Sequence, residues 1–298
     1  MKLPPGQENT KKLPLTSGAF IKRILKENDI RFKKKYGQNF LTSSRSLKKI
    51  AGAIGTDDLA IEVGSGFGVL TQELATRFKK VIALEIDKEI FPVLKNNLSH
   101  LSNIEFYNED ALNFNEEKLP NSYVVCGNIP YNISSPLVRK FLIETKRKPK
   151  KIVFLVQKEF AEKIISKKNS FLKMSLEVVG KSRIRGEVGK NNFFPVPRVD
   201  SVILEITPRS KPKIPSGQIN DFIDFLGKAF GERRKKLVNN LHKNLSLEKE
   251  KTIGMLKKMN INERSRAEEL ELQNWIDIFL NLSVMSVFVF SQQFHSFF

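Results

Sequence analysis

The pattern of apolar and polar positions predicts alternating strands and helices over the middle of the chain. Between about residue 59 and residue 206, short apolar runs rich in β-branched residues alternate with stretches whose apolar positions recur every three to four residues. Runs of the first kind predict buried strands, and stretches of the second kind predict amphipathic helices. The predicted strands are residues 59–63, 81–86, 104–107, 123–126, 152–156 and 201–206. This alternation is typical of an α/β fold with a mostly parallel sheet.

A proline-punctuated segment closes the α/β part of the chain. Residues 208–215 hold three prolines among basic and polar residues, which predicts a linker. From about residue 218 to residue 282 the apolar positions follow a helical period, without a convincing strand. We therefore predict four parts: a basic, mobile N-terminal extension with one short helix (1–30), an α/β domain (31–210), a small all-helical domain (211–282) and an apolar tail (283–298).

The charge of the chain narrows the class of partner. Its 298 residues include 51 lysines and arginines against 32 aspartates and glutamates, a formal net charge of +19. Such a basic surface is typical of proteins that bind a polyanion, with nucleic acid the first candidate and an anionic membrane surface the second. Three stretches concentrate the charge, at residues 22–35, 139–151 and 228–243. They can hold phosphates without reading sequence, although a run of charge is often only a solvated face.

Cysteine and histidine counts and the two termini exclude several other classes. One cysteine and three histidines can form neither an internal disulfide nor a typical structural zinc site, so we expect a reducing cytoplasm and no metal. The first residues lack the apolar stretch of a secretory signal. The apolar residues 284–298 are fewer than the roughly twenty that a membrane-spanning helix needs. We predict a cytoplasmic protein without membrane association.

A glycine-rich turn follows the first predicted strand. Residues 62–68 read Glu-Val-Gly-Ser-Gly-Phe-Gly and lead into a helix. Gly64 and Gly66 allow the backbone to approach a ligand closely and leave the amino end of the helix free to face it. Alone the turn is a weak signal, because a dinucleotide site or a tight turn without a ligand would have the same pattern.

Two acids at later strand ends extend this turn into an adenosine pocket. Glu85 ends the second strand, where a carboxylate can accept both hydroxyls of a ribose, whereas its neighbour Asp87 is expected to cap the next helix. Asp110 follows the third strand and can accept from the amino group of an adenine, although a loop acid is often simply solvated. Because open α/β sheets bind ligands at the carboxyl ends of their strands, the three features together predict binding of an adenosine.

The fourth strand runs directly into Asn128-Ile129-Pro130-Tyr131. An Asn oxygen and the backbone carbonyl after it can accept both hydrogens of an adenine amine and direct its lone pair toward a methyl sulfonium. Pro130 stiffens this loop, and Tyr131 offers a flat face to a flipped base. An ordinary Asn-Pro turn with a surface Tyr is the alternative. Because these residues follow a predicted adenosine pocket, the pattern favours transfer of a methyl group from S-adenosylmethionine.

Several separated motifs resemble one family. They are Lys-Tyr-Gly-Gln-Asn-Phe-Leu at residues 35–41, the glycine turn, Asn-Ile-Pro-Tyr-Asn-Ile-Ser-Ser-Pro at 128–136, Phe-Phe-Pro-Val-Pro-Arg-Val-Asp-Ser at 193–201, and two helical segments at 229–237 and 266–270. Over roughly residues 31–282 the chain resembles the KsgA-type ribosomal RNA small-subunit adenine dimethyltransferases, which are similar to the Erm methyltransferases and to mitochondrial transcription factor B. The resemblance implies a Rossmann-like S-adenosylmethionine-dependent methyltransferase sheet with a small all-helical C-terminal domain that binds RNA.

The resemblance also implies roles for individual residues. Around the cofactor it implies that Asn39 and Leu41 close over it, Gly64 and Gly66 line it, Glu85 binds its ribose, Asp110 its adenine, and Asn128 lies beside the methyl donor. Phe193 would be the second wall of the base sandwich, opposite Tyr131. From charge, the expected contacts to the RNA backbone are Arg233, Arg234, Lys235 and Lys236.

The resulting hypothesis is dimethylation of two adjacent adenines near the 3′ end of small-subunit rRNA, in an assembling 30S-type subunit and by a monomer. The target and the double methylation come from the resemblance. A non-catalytic assembly or transcription factor on the same fold would keep the basic surface but tolerate loss of the Asn-x-Pro-Tyr pattern at residues 128–131 or of Glu85, and both are intact. The helical motifs at 229–237 and 266–270 speak against a DNA methyltransferase and favour the small-subunit type over an Erm-type enzyme acting on the large subunit. If the chain were a nicotinamide dehydrogenase, residues 128–131 would have no role.

Overall fold

The computed structural model describes residues 14–120, 122–232 and 235–284. The strands are β1 (Phe40–Leu41), β2 (Asp57–Val63), β3 (Phe78–Leu84), β4 (Ile104–Tyr107), β5 (Val124–Asn128), β6 (Lys151–Gln157), β7 (Gly180–Val188), β8 (Phe193–Phe194) and β9 (Ser201–Pro208). The helices are α1 (Gly18–Glu27), α2 (Ser44–Ile54), α3 (Val69–Ala75), α4 (Ile90–Leu98), α5 (Ser134–Arg139), α6 (Lys158–Ile165), α7 (Phe171–Val179), α8 (Ile219–Ala229), α9 (Leu237–Leu245), α10 (Lys249–Lys258) and α11 (Leu272–Val284).

All six predicted strands are present, which confirms the α/β prediction. Three strands were not predicted from the sequence: β7, whose alternate residues are charged, and the two-residue strands β1 and β8. Seven strands form one sheet in the order β4-β3-β2-β5-β6-β9-β7, while β1 and β8 form a separate antiparallel pair. Along this order, the four neighbouring pairs from β4 through β3, β2 and β5 to β6 are all parallel. The strand order reverses at β2, so the carboxyl ends of β2 and β5 border the crevice in which open α/β sheets bind ligands.

A close approach of two backbones shapes this crevice. Ile61 pairs with Val125 and Glu62 pairs with Cys126, which brings Gly127 against Val63 one residue further along. A Cβ atom on Gly127 would lie 2.3 Å from the carbonyl oxygen of Val63. Only glycine therefore allows β5 to continue beside β2 as far as Asn128.

The described part of the N-terminal extension packs into the core, which differs from the mobile lead-in that we expected. Ser17 caps the amino end of α1, accepting a hydrogen bond from the backbone of Phe20. Phe20, Ile21 and Ile24 are buried on one face of α1, in a core group with Phe67. Helical spacing of these residues on a short segment is enough to bury an apolar face once a partner surface exists.

The chain divides into two compact units. One comprises the described residues of Met1–Lys158 with Ile184–Glu205, and the other Glu159–Arg183 with the described residues of Ile206–Phe298. Helices dominate the second unit. Its core includes contacting aromatic rings of Phe222, Phe225, Trp275 and Phe279. The domain bounds predicted from sequence remain a prediction, and residues 285–298 of the apolar tail lie outside the described residues.

Candidate active site

A cleft lies at the carboxyl ends of the central strands. The predicted residues that line it are Asn39, Leu41, Gly64, Gly66, Glu85, Asp110, Asn128 and Pro130. They come from the segment before α2 and from the loops after β2, β3, β4 and β5, because parallel strands deliver their following loops to one edge of the sheet. The structure thus brings together residues that are up to 91 positions apart in sequence, from Asn39 to Pro130.

The glycine turn lies directly between β2 and α3. Gly64, Gly66 and Gly68 have φ values of +70°, +55° and +89°, a region that favours glycine. The N–H groups of Gly64 and Ser65 donate to the carbonyl of Leu84, at 2.9 and 3.1 Å, which holds the turn against the end of β3. At Gly64 and Gly66 the turn therefore presents backbone, without Cβ atoms, to the cleft.

Glu85 lies just after β3 and is buried. Its Oε2 accepts the N–H of Gly66 at 2.8 Å, and its Oε1 accepts the N–H of Asp87 at 2.8 Å. Burial raises the pKa of Glu85, while the two backbone donors favour the charged form. The carboxylate is thus fixed in place, and each oxygen retains lone pairs that can accept a hydroxyl from a ligand.

Asp110 is held in a turn after β4. Its Oδ1 accepts the N–H of Leu112 at 2.9 Å, and its backbone carbonyl accepts the N–H of Asn113 at 2.9 Å. The side chain is partly exposed and lines the cleft. The other carboxylate oxygen can accept from a ligand amine.

Asn128 is the last residue of β5, and its amide has one defined orientation. Its Nδ2 donates to the carbonyl oxygen of Asn39 at 2.7 Å. Because a carbonyl can only accept, this bond assigns the amide nitrogen to Asn39 and leaves Oδ1 as the remaining acceptor. Within the described part of the chain no recorded hydrogen bond reaches Oδ1. The arrangement presents an oriented acceptor next to the glycine turn.

The loop after Asn128 is only partly described. Pro130 lies against Gly37, where an added Cβ would be 3.2 Å from the Cβ of Pro130. Tyr131 begins a short 3₁₀ turn, and its side chain lies outside the described part. Phe193 is 2% exposed, packs in the core and pairs with Leu41 across β8 and β1; it does not line the cleft. The two proposed base walls therefore stay predictions.

A network missed by the sequence analysis anchors residues 33–41, a segment that we call the strap. Buried Asp87 accepts Nζ of Lys33 at 2.7 Å and Nε2 of Gln38 at 2.7 Å. Gln38 in turn accepts the backbone N–H of Lys33 at 2.9 Å. Asp87 also accepts the N–H of Glu89 at 3.1 Å, but Glu89 is the N-cap residue of α4 and no side chain caps this helix, so the expected cap by Asp87 is not formed. Asp87 therefore joins the strap, which carries Asn39, to the end of the sheet.

Replacing Asp87 with alanine should release the strap. We expect cofactor affinity to fall about tenfold, since charge-assisted hydrogen bonds to a buried carboxylate each contribute roughly 1.5–3 kcal/mol. Gln38→Ala should act in the same direction without removing the bond from Glu89 N–H to Asp87. Calorimetric titration measures both. The matched control is Glu89→Ala, which removes a 2.9 Å ion pair of Lys33 at a side chain that is 52% exposed and should change affinity little. Unchanged affinity in the Asp87 and Gln38 variants would contradict the anchoring role.

Glu62 is a second residue that the sequence analysis did not single out. It lies in β2, is buried, lines the cleft and accepts the hydroxyl of Thr71. Burial raises the pKa of Glu62 to about 8, and the charge of Glu85 acts in the same direction. An acid within an apolar strand next to a glycine turn is the sequence signal that could have indicated it.

The raised pKa of Glu62 predicts a pH-dependent stability. Its folded pKa of about 8 lies above its ordinary value of 4.5, so its contribution is fully present below pH 4.5 and is lost as the pH rises through 8. Relative to Glu62→Gln, which does not titrate, the wild type should lose about 4 kcal/mol of unfolding free energy between pH 5 and pH 9. Thermal melts without cofactor measure this difference. Parallel pH profiles of the two proteins would refute it.

Several side chains of the predicted basic surface form ion pairs within the protein. In residues 139–151, Arg139 pairs with Glu144, Lys146 with Glu117 and Lys150 with Asp57, at 2.7, 2.8 and 2.7 Å. Lys140 is mostly buried and donates to two backbone carbonyls. This stretch is therefore largely neutralised. On α1, Lys22, Arg23 and Lys26 are exposed, and Arg23 lies 3.7 Å from the carboxylate of Glu27.

The proposed phosphate contacts in the second unit differ in their surroundings. Arg233 and Arg234 lie outside the described residues. Lys235 pairs with Glu232 at 2.5 Å, and Lys243 pairs with the same carboxylate. Lys236 is exposed and precedes α9. Their contact with RNA stays a prediction.

The described residues contain neither a candidate metal cluster nor a candidate membrane-spanning helix. No group of three or more His, Cys, Asp or Glu side chains in that part could hold a metal ion. No helix there has both the length and the apolar character needed to cross a membrane.

Comparison with known sequences gives a consistent result. The sequence model described as "Ribosomal RNA adenine dimethylase" matches residues 29–283. A protein of Mycoplasma capricolum named "Ribosomal RNA small subunit methyltransferase A" is 36% identical over 270 residues, covering 86% of this chain and 99% of its own. A protein of the same name from Caldanaerobacter subterraneus is 36% identical over 263 residues, covering 84% of this chain and 96% of its own.

Solved structures add fold-level likenesses. A dimethyladenosine transferase from Plasmodium falciparum is 26% identical with a TM-score of 0.71, covering 83% of this chain and 98% of its own. The 23S rRNA methyltransferase ErmE is 25% identical with a TM-score of 0.66, covering 82% of this chain and 100% of its own. Both likenesses extend over most of the chain.

Proposed function

The chain belongs to the ribosomal RNA adenine dimethylase family, and from this premise we propose that it dimethylates the N6 amines of two adjacent adenines near the 3′ end of small-subunit rRNA. It is an rRNA adenine dimethyltransferase that depends on S-adenosylmethionine. The observation that carries the proposal is the oriented amide of Asn128 at the end of β5, beside the glycine turn and in one cleft with Glu85 and Asp110.

The cleft has the donors and acceptors that S-adenosylmethionine requires. Glu85 would accept the ribose hydroxyls, because both of its oxygens are oriented by backbone N–H groups. Asp110 would accept the adenine amine through the carboxylate oxygen that does not bind Leu112. Gly64 and Gly66 would contact the cofactor through backbone, and Asn39 and Leu41 of the strap would close over it. When bound, S-adenosylmethionine supplies an electrophilic methyl group.

Asn128 would prepare the amine for attack. The lone pair of the adenine amine is delocalised into the ring, so the nitrogen must become more tetrahedral to react. Oδ1 of Asn128 and the following backbone carbonyl would each accept one amine hydrogen and direct the lone pair toward the cofactor. The bond to Asn39 prevents the Asn128 amide from turning its donor toward the substrate. After transfer the cationic amine loses its proton to water, so no general base is needed.

Different residues would bind the target adenine and the rRNA backbone. Tyr131 and Phe193 are the proposed walls around the flipped adenine, with Pro130 stiffening the loop between Asn128 and Tyr131. We propose that the helical part of residues 211–282 holds the rRNA backbone through Arg233, Arg234, Lys235 and Lys236. The net charge of +19 supports a polyanionic partner. We also propose that the substrate is an assembling small subunit, that the enzyme is a monomer and that it is located in the cytoplasm.

The test compares three substrates. Purified protein with labelled cofactor should label unmethylated small subunits at two adenines, and leave large-subunit RNA and DNA unlabelled. The Erm-type alternative predicts labelling of large-subunit RNA alone, which would overturn the small-subunit assignment. The names of the relatives at 36% identity favour the small subunit over the likeness to ErmE at 25%. A non-catalytic assembly factor would bind the RNA without labelling it.

A further inference from the structure

A series of aromatic rings leads from the cleft to the surface. The ring of Phe40, which lines the cleft, lies 4.5 Å from that of Phe67 and 6.0 Å from that of Phe32. Phe32 meets Phe194 edge-on at 5.7 Å. Phe40 and Phe194 are also paired across β1 and β8. The outer two rings are therefore fixed to the wall of the cleft through Phe40.

The outer end of this series combines exposed aromatic surface with a positive charge. Phe32 is 37% exposed, Phe194 is partly exposed, and Val196 nearby in sequence is 56% exposed. Nζ of Lys22 lies 5.5 Å from the centroid of the Phe194 ring. Within the described residues Lys22 forms no recorded ion pair. Its charge is therefore available to an external anion while it remains beside the ring.

Aromatic faces with an adjacent cation are the elements with which proteins hold unpaired bases. Rings stack on bases of any sequence, and a nearby lysine neutralises the phosphate. An exposed phenylalanine alone would need no explanation. Here two rings and a lysine adjoin the segment of Phe193, the proposed wall of the adenine site. The nucleotide next to the target adenine is therefore the occupant that fits this position.

We propose that Phe32, Phe194 and Lys22 form a stacking platform for an unpaired base that neighbours the methylated adenine, with Lys22 at its phosphate. This inference rests on the proposed function, because it requires an RNA strand in the cleft. The platform holds the strand in register, so that one adenine at a time enters the cleft.

Two substitutions of Phe32 separate stacking from packing. Phe32→Leu keeps apolar volume against Phe40 but removes the flat face, whereas Phe32→Tyr keeps the ring. The probe is a small-subunit rRNA fragment with the two adjacent adenines and 2-aminopurine at the flanking position. We expect Phe32→Leu to weaken RNA binding about fivefold and to abolish 2-aminopurine quenching, and Phe32→Tyr to stay within about twofold of wild type. Lys22→Gln should lower the salt dependence of binding by about one counterion.

The control is Tyr107→Leu, at a ring that is 39% exposed and also meets a neighbour edge-on, in β4. It should leave RNA affinity unchanged. Cofactor affinity should be the same in all variants. The platform is refuted if Phe32→Leu binds RNA like wild type, if the Leu and Tyr variants lose affinity equally, or if cofactor affinity falls together with RNA affinity. Because binding is measured without methyl transfer, wild type that binds and quenches but does not label the RNA would overturn the proposed function and leave the platform standing.

Discussion

Asn128→Ala should lower kcat for methyl transfer about 10²- to 10³-fold, the range seen when one oriented hydrogen-bonding group is removed from a polar transition state. The substitution deletes the acceptor that would hold one amine hydrogen and also the 2.7 Å bond to the carbonyl of Asn39. Cofactor affinity should fall less than about tenfold, because Glu85 and Asp110 are untouched. Single-turnover labelling of small subunits at saturating cofactor measures the chemical step separately from binding.

Asn96→Ala is the matched control, because this asparagine is exposed on α4. It should retain wild-type activity. Full activity of Asn128→Ala would contradict the proposed role of the amide in aiming the lone pair. Weaker cofactor binding with an unchanged rate at saturating cofactor would instead assign Asn128 to binding alone.

Glu85→Gln should weaken cofactor binding about 100-fold. The neutral amide loses the charge that strengthens hydrogen bonds to ribose hydroxyls, and its NH₂ group faces the N–H of either Gly66 or Asp87. A loss of about 2.7 kcal/mol corresponds to this factor. Burial raises the pKa of Glu85. On acidification, the cofactor affinity of the wild type should therefore begin to fall at a higher pH than it would if this carboxyl had an ordinary pKa.

Calorimetric titration of cofactor between pH 5 and pH 8 tests both parts of this prediction. Glu105→Gln is the control, since Glu105 lies in β4 and is exposed in an ion pair with Lys80. The ribose role of Glu85 would be excluded if the Gln variant bound cofactor within about twofold of wild type. A lowered melting temperature of Glu85→Gln without cofactor would indicate that the pocket has collapsed. Glu85→Asp keeps the charge and so separates this loss of structure from the loss of the ribose contact.

Asp87 illustrates how far sequence reasoning reaches at such a site. Its position before α4 predicted a helix cap, but the N-cap residue is Glu89, and Asp87 makes only a local bond to the N–H of Glu89. Its bonds to Lys33 and Gln38 could not be predicted, because they join residues 54 and 49 positions apart through side chains that meet only when the strap folds back over the sheet. The strap in turn determines which way the amide of Asn128 faces.

Local patterns of hydropathy and glycine determined six of the strands, their order along the chain and the loops that carry Gly64, Glu85, Asp110 and Asn128, but not β1, β7 and β8. They sufficed because side-chain periodicity is local and parallel strands deliver their loops to one edge. Only the tertiary structure decided the burial of Glu62, the anchoring of the strap and the meeting of Phe32 with Phe194. These depend on which distant segments pack together, since a charge is desolvated, or two rings touch, only where the fold excludes water between them.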